Sequence, residues 1–157
     1  MTAQTPLVSI LTGSPNDLER VEKARAVLED LGVPCELRVL SAHRTPDMTV
    51  DYVKEADRRG VEVFIACAGM ANHLAGTVAA HTLKPVIGVP LSGSLGGLDA
   101  LLSTVQMPPG IPVATVAVDG TRNAAYLAAR ILSLAHVELV ARLEAALEAD
   151  RARYRES

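Results

Sequence analysis

The sequence predicts an α/β protein, a single domain in which five strands alternate with helices. That alternation places a parallel sheet at the centre with helices on both faces. Three observations predict it. Short apolar or alternating runs recur at residues 7–11, 35–40, 61–68, 85–89 and 113–118. Between them, apolar residues fall three and four apart, as a helix with one buried face requires. At the junctions stand Gly, Ser, Thr, Asn and Pro, the residues of turns and helix starts.

The chain has 157 residues, which suits one core. Hydrophobic residues make up 49% of it but aromatics only 3%, with no Trp, so that core is aliphatic. Platforms for single-stranded nucleic acid need aromatics, and a formal net charge of −3 gives no basic surface. Nucleic acid is not an expected partner. The two cysteines, Cys35 and Cys67, lie in apolar runs and read as buried, reduced thiols. No CxxC and no Cys/His pair at zinc spacing occurs, so no metal site is expected. Residues 1–6 are polar and do not read as a signal peptide. No apolar stretch is long enough to span a bilayer. A cytoplasmic protein with no membrane partner is the expectation.

Residues 1–6 are expected to form a tail on a domain that takes in the whole chain, 1–157. The first strand, 7–11, runs into Thr12-Gly13-Ser14-Pro15-Asn16-Asp17. Gly13 permits a tight turn. Ser14 suits the N-cap, Pro15 the first helical position and Asp17 the third. Leu18, Val21, Arg25, Leu28 and Leu31, with Ala24 beside them, make a helical stripe that Gly32 ends. A glycine turn at a helix N-terminus suits a phosphate, and plain capping explains these residues equally well.

The second strand, 35–40, alternates Cys35, Leu37 and Val39 against Glu36 and Arg38. Thr45 is expected to cap the next helix, with Pro46 at its first position. Met48, Tyr52, Val53 and Ala56 form the expected buried stripe, and Gly60 closes the helix. After the third strand come Gly69-Met70-Ala71-Asn72-His73-Leu74-Ala75-Gly76, small residues that let backbone approach a ligand. A helix over 72–82 follows. His73 near its start is a second candidate ligand contact, and His81 near its end reads as a cap or surface residue.

The fourth strand enters a Gly- and Ser-rich loop at 90–97, then a short helix at 98–105. Pro108, Pro109 and Pro112 forbid its continuation. Asp119-Gly120 turns the fifth strand into a helix from about Thr121 to Ala135. From His136 onward the pattern changes, with Val140, Leu143, Ala146 and Leu147 as a narrow stripe among charges. This helix needs a surface to cover, either its own domain or a second subunit.

Right-handed crossovers then leave a flavodoxin-like three-layer α/β/α sandwich, sheet order 2-1-3-4-5, with an extra C-terminal helix at 136–157. Ligands of such sheets bind beyond the carboxyl ends of the strands. The loops after strands 1, 2 and 3 converge there, bringing Ser14, Asp17, His43, Arg44 and His73 towards one pocket. In Ser41-Ala42-His43-Arg44-Thr45-Pro46 an imidazole stands beside a fixed cation where strand gives way to helix. That pairing suits acid–base work on an anionic substrate.

Gly13-Ser14-x-x-Asp17, the run from Ser41 to Pro46, Ala68-Gly69 through His73-Leu74, and Val105-Gln106-Met107-Pro108 resemble one family over about residues 8–132. It is the 5-(carboxyamino)imidazole ribonucleotide mutase / phosphoribosylaminoimidazole carboxylase catalytic subunit family of purine biosynthesis. The resemblance implies a flavodoxin-like homo-octamer with active sites where subunits meet. It implies no metal, nucleotide cofactor or ATP. The reaction implied moves a carboxylate from the exocyclic nitrogen of an aminoimidazole ribonucleotide to ring carbon 4, with CO2 as intermediate. His43 would be the general acid and base. The ribonucleotide would be bound by Gly13, Ser14, Asn16 and Asp17, by Ser41, Ala42 and Arg44, and by Gly69, Met70, Ala71, Asn72, His73 and Leu74.

The chain departs from the family pattern at several places. Met70 and Asn72 stand where Gly and Ala are usual, Asn16 replaces a serine, and Leu18 an aromatic. The 92–97 loop looks one residue short and the 119–122 turn about two short. A related branch joins free CO2 to aminoimidazole ribonucleotide directly, and Asn72 and the short turn resemble it. Arg44-Thr45-Pro46 and His73 resemble the mutase. A reading of another class, a non-catalytic ligand-sensing or interaction domain, leaves both specific runs unexplained. Flavin binding lacks the Ser/Thr-rich cradle and the aromatics it needs.

Overall fold

Alternate residues of the third strand feed two different cores. Val63, Ile65 and Cys67 pack into one buried cluster, and Phe64 and Ala66 into another. A strand apolar on both sides needs cover on both faces, as parallel crossovers provide. The computed structural model describes residues 5–155, so residues 1–4 of the expected tail and residues 156 and 157 lie outside it.

Five parallel strands are present: β1 (Val8–Thr12), β2 (Cys35–Val39), β3 (Val63–Gly69), β4 (Val86–Leu91) and β5 (Ala114–Thr115). They form one sheet in the order β2-β1-β3-β4-β5, the expected flavodoxin-like arrangement. The helices are α1 (Leu18–Asp30), α2 (Pro46–Arg59), α3 (Leu74–Ala79), α4 (Leu98–Val105), α5 (Thr121–Leu132) and α6 (Glu138–Arg155). One core lies between the sheet and α1 and α5; the other lies under α2 and α3.

Several elements differ from expectation. Met48 is 61% exposed, and the buried positions of α2 are Thr49, Val53 and Ala56. Thr49 turns its hydroxyl to the Thr45 carbonyl at 2.9 Å, which satisfies it inside the core. β5 keeps only two regular residues because the chain bulges after Thr115: Val116 donates to the Gly88 carbonyl and Asp119 to that of Pro90. α3 begins at Leu74, two residues later than expected, because Asn72 is drawn inward beneath α4.

The last helix covers its own domain with part of the expected stripe, while Val140 and Leu147 stay exposed. Leu139 is buried, Leu143 and Ala146 pack against the first core, and Arg142 donates to the carbonyls of Leu31 and Gly32 at 3.0 and 3.2 Å. A cation on carbonyls that α1 leaves unpaired at its carboxyl end is a favourable cap. No helix among the described residues is long and apolar enough to cross a membrane.

Candidate active site

Backbone register fixes which loops can meet. Thr12 lies opposite Val39 on one side and Cys67 on the other. β1 therefore ends between β2 and β3, and the three loops that follow open at one edge of the sheet. Leu40 donates to the Thr12 carbonyl at 2.9 Å and Gly13 to that of Cys67 at 3.2 Å, which carries the pairing into the loops.

The second loop is a closed turn. Thr45 Oγ1 accepts from the Ser41 amide at 3.0 Å and lies 3.1 Å from the Ser41 carbonyl, to which it donates. Ser41 Oγ accepts from the Arg44 amide at 3.1 Å. Thr45 thus occupies the N-cap position of α2 without capping it, since its hydroxyl faces back into the turn. Ala42 lies within this turn. His43 and Arg44 stand at its exposed tip.

The third loop delivers the partner. Met70 adopts φ +56°, a left-handed conformation that costs a side-chain-bearing residue roughly 1 kcal/mol or more, yet its side chain is exposed. Ala71 and His73 are also exposed, Gly69 is half-buried, and Leu74 is buried in the second core. His73 Nδ1 lies 2.7 Å from His43 Nε2, with the rings edge to face at 87°. One of these nitrogens must accept for the bond to form, so the two rings cannot both be fully protonated in this arrangement.

Asn72 behaves differently from its neighbours. Its side chain is fully buried, with Nδ2 donating to Thr104 Oγ1 at 2.8 Å and facing the Val89 carbonyl at 3.4 Å. Asn72 Oδ1 has no partner among the described residues. A buried unpaired acceptor costs about 1–3 kcal/mol. The chain nonetheless keeps the residue there.

In the first loop, Ser14 Oγ accepts from the Asn16 amide at 3.2 Å and caps a short 3₁₀ turn, Pro15–Asp17, ahead of α1. The Asp17 carboxylate is engaged within the first turn of its own helix. It is held by Arg20 Nη2 at 2.7 Å. Arg20 Nη1 in turn reaches the Ser92 carbonyl and Asp119 Oδ1, each at 3.0 Å. One guanidinium therefore joins the loops after β1, β4 and β5. Partial burial disfavours the Asp119 carboxylate, but the Ser92 hydroxyl and amide and the Arg20 charge outweigh it and hold the carboxyl below its usual range.

The structure thus brings His43 and His73 into contact, with Arg44 beside them and the Ser14 turn at the adjoining strand end. The side chains of Asn72 and Leu74 face inward. Arg20, Ser92, Ser103 and Thr104 were not foreseen from the sequence. Arg20, Ser103 and Thr104 lie on ordinary helix positions, where no local pattern marks them. Among the described residues, no group of three or more His, Cys, Asp or Glu is placed to hold a metal ion.

Known proteins place this geometry in context. The family model described as AIR carboxylase matches residues 7–153. The N5-carboxyaminoimidazole ribonucleotide mutase of Pyrococcus horikoshii is 53% identical over 144 residues, covering 91% of this chain and 81% of that protein. The protein of the same name from Saccharolobus solfataricus is 53% identical over 140 residues, covering 88% and 89%. The phosphoribosylaminoimidazole carboxylase of Schizosaccharomyces pombe is 49% identical over 146 residues, 92% of this chain but 26% of that longer protein. The crystal structure of Treponema denticola PurE superposes with a TM-score of 0.88 at 35% identity, covering 96% of this chain and 95% of that one.

Proposed function

The chain belongs to the AIR carboxylase family, and from that premise we propose that it is an N5-carboxyaminoimidazole ribonucleotide mutase of purine biosynthesis. It converts the N-carboxylated ribonucleotide to 4-carboxy-5-aminoimidazole ribonucleotide. The observation that carries the reading is the imidazole pair, His43 Nε2 to His73 Nδ1 at 2.7 Å, at the open edge of the sheet. It stands in a chain half identical to several proteins of that name.

The chemistry follows from one proton lent and returned. His43 in its protonated form donates to the exocyclic nitrogen of the N-carboxylate. The carbon–nitrogen bond breaks and leaves a neutral amine and CO2. Ring carbon 4 attacks the CO2, and His43, now neutral, removes the proton from carbon 4. His73 Nδ1 accepts from His43 Nε2 throughout, which leaves the other ring nitrogen, His43 Nδ1, to donate the proton and take it back. Arg44 binds the phosphate with a permanent charge and a planar fork. Gly13, Ser14, Asn16 and Asp17 bind ribose and phosphate at the first turn, and Ser41 and Ala42 line the second. The loop from Gly69 through Met70, Ala71, Asn72, His73 and Leu74 closes over the imidazole ring and keeps CO2 from water.

Assembly into a cytoplasmic homo-octamer is part of this reading. Support for self-association comes from α4: Leu98, Leu102 and Val105 are 57%, 47% and 46% exposed and fall three or four residues apart. A contiguous apolar face of this kind on a surface helix marks an interaction surface.

The second reading, direct carboxylation of aminoimidazole ribonucleotide by free CO2, is favoured by the likeness to the S. pombe carboxylase. One experiment separates the two. The purified protein is given the N-carboxylated ribonucleotide, and separately aminoimidazole ribonucleotide with bicarbonate, while product is followed by ultraviolet absorbance. Turnover of the first compound, indifferent to bicarbonate, is the expected result. Turnover of aminoimidazole ribonucleotide alone, rising with dissolved CO2, establishes the carboxylase instead.

A further inference from the structure

The residue before His73 is held from inside the protein rather than from the pocket. Asn72 Nδ2 donates to Thr104 Oγ1 at 2.8 Å. The Thr104 proton is committed to the Ala100 carbonyl at 2.6 Å, so Thr104 can only accept from Asn72. The Asn72 backbone amide donates to Ser103 Oγ at 2.9 Å, and that hydroxyl lies 2.7 Å from the Asp99 carbonyl. Two consecutive residues of α4 therefore grip one residue of the third loop by both its side chain and its backbone. α4 is itself seated on β4 at Gly88, where an added Cβ would lie 2.3 Å from Thr104 Cγ2. An unbroken series of contacts runs from the central sheet through Thr104 and Asn72 to His73 and His43.

The geometry points to Asn72 as a positioning residue. With Ser103 and Thr104 it holds the third loop so that His73 Nδ1 stays within hydrogen-bond reach of His43 Nε2. This role rests on the acid–base assignment proposed above. It also accounts for a fully buried amide whose Oδ1 goes unpaired, a cost that packing alone gives no reason to keep. An aspartate at this position would set a carboxylate against the Val89 carbonyl, so the amide is required for its donors.

The test compares Thr104→Val, which keeps the shape and removes the acceptor, with Thr104→Ser, which restores it, and with Ser103→Ala. In Thr104→Val, kcat falls about tenfold or more, as a small misplacement of a catalytic group does. KM stays within about twofold, because the phosphate and ribose contacts lie on other loops. The pH profile of kcat shifts, and nitrogen-15 resonances of the two imidazoles move towards those of unpaired rings. Thr104→Ser returns all of these to the parent values. If Thr104→Val does not fold, Ser103→Ala decides by the same readouts. Folded variants that lose thermal stability but keep the parent kcat, pH profile and imidazole resonances overturn the assignment. If the parent turns over neither ribonucleotide, the functional reading fails, and the imidazole resonances still decide whether Asn72 positions His73.

Discussion

His43 owes its usefulness to two neighbours that do different work. The turn closed by Ser41 and Thr45 sets where the ring stands, and His73 Nδ1 lies 2.7 Å from its Nε2. Because His43 is exposed and touches little else, His43→Asn folds with a thermal midpoint close to the parent's. Its kcat falls by roughly 10²–10⁴, the usual worth of a general acid–base group, with KM little changed. Steady-state kinetics on the N-carboxylated ribonucleotide, beside a melting curve, check this. Retained turnover in a folded variant would assign the proton transfer to another group. That His43 and His73 would meet was legible in the sequence, because both stand just beyond strand ends whose loops converge. Arg20 was not, because its partners Ser92 and Asp119 lie 72 and 99 residues away. Asn72 was legible as a loop residue near the site, but its burial was not, since the local sequence said nothing of α4 above it.

Among the elements, α4 does most to tie scaffold to site, and its seat is a single glycine. A methyl group at Gly88 would meet Thr104 Cγ2 at 2.3 Å and Val113 Cγ1 at 2.8 Å, so Gly88→Ala must push α4 outward. Overpacking of this kind costs about 1–3 kcal/mol, read as a lowered urea midpoint at unchanged slope. Turnover falls further than stability does, because Thr104 moves with the helix. A midpoint and kcat equal to the parent's would show that the contact yields freely. Most helices and strands were legible from their apolar spacing. The exceptions have local causes. β5 is cut short by a bulge, whose extra residues no alternation reveals. On α2, Val53 and Ala56 keep the expected face while Thr49 is buried in place of Met48, because a threonine that bonds its own helix can replace an apolar residue.

At the scale of the whole molecule, the sheet order was legible because crossover handedness and the switch-point rule leave few alternatives. What could not be read was how charge secures its open edge. Glu36 on the edge strand β2 accepts from Arg59 Nη2 at 2.6 Å and from the Tyr52 hydroxyl at 2.7 Å. Burial disfavours its charge, but these hydrogen bonds and the charges of Arg59 and Arg38 hold the carboxyl below its ordinary 4.5. A depressed folded value means stability that is present above 4.5 and is lost as pH falls below it. The Asp119 carboxyl, also depressed, acts in the same direction. Melting temperature measured against pH therefore declines on the acid side. Glu36→Gln lowers it near neutrality and flattens that decline, whereas an unchanged slope would place the acid sensitivity elsewhere.

The position of Thr104 along the chain gives the site a history. A growing chain emerges from its amino end at about 5–20 residues per second, and a domain organises as it appears. β1 and β2 can pair early, and His43 follows directly behind them. His73 arrives 30 residues after His43, and Thr104 a further 32 after Asn72. For that interval a nascent chain holds both imidazoles with nothing above them to keep the third loop in place, and β4 still lacks the helix that seats at Gly88. A chain stalled before α4 thus carries both imidazoles without the helix that holds the third loop.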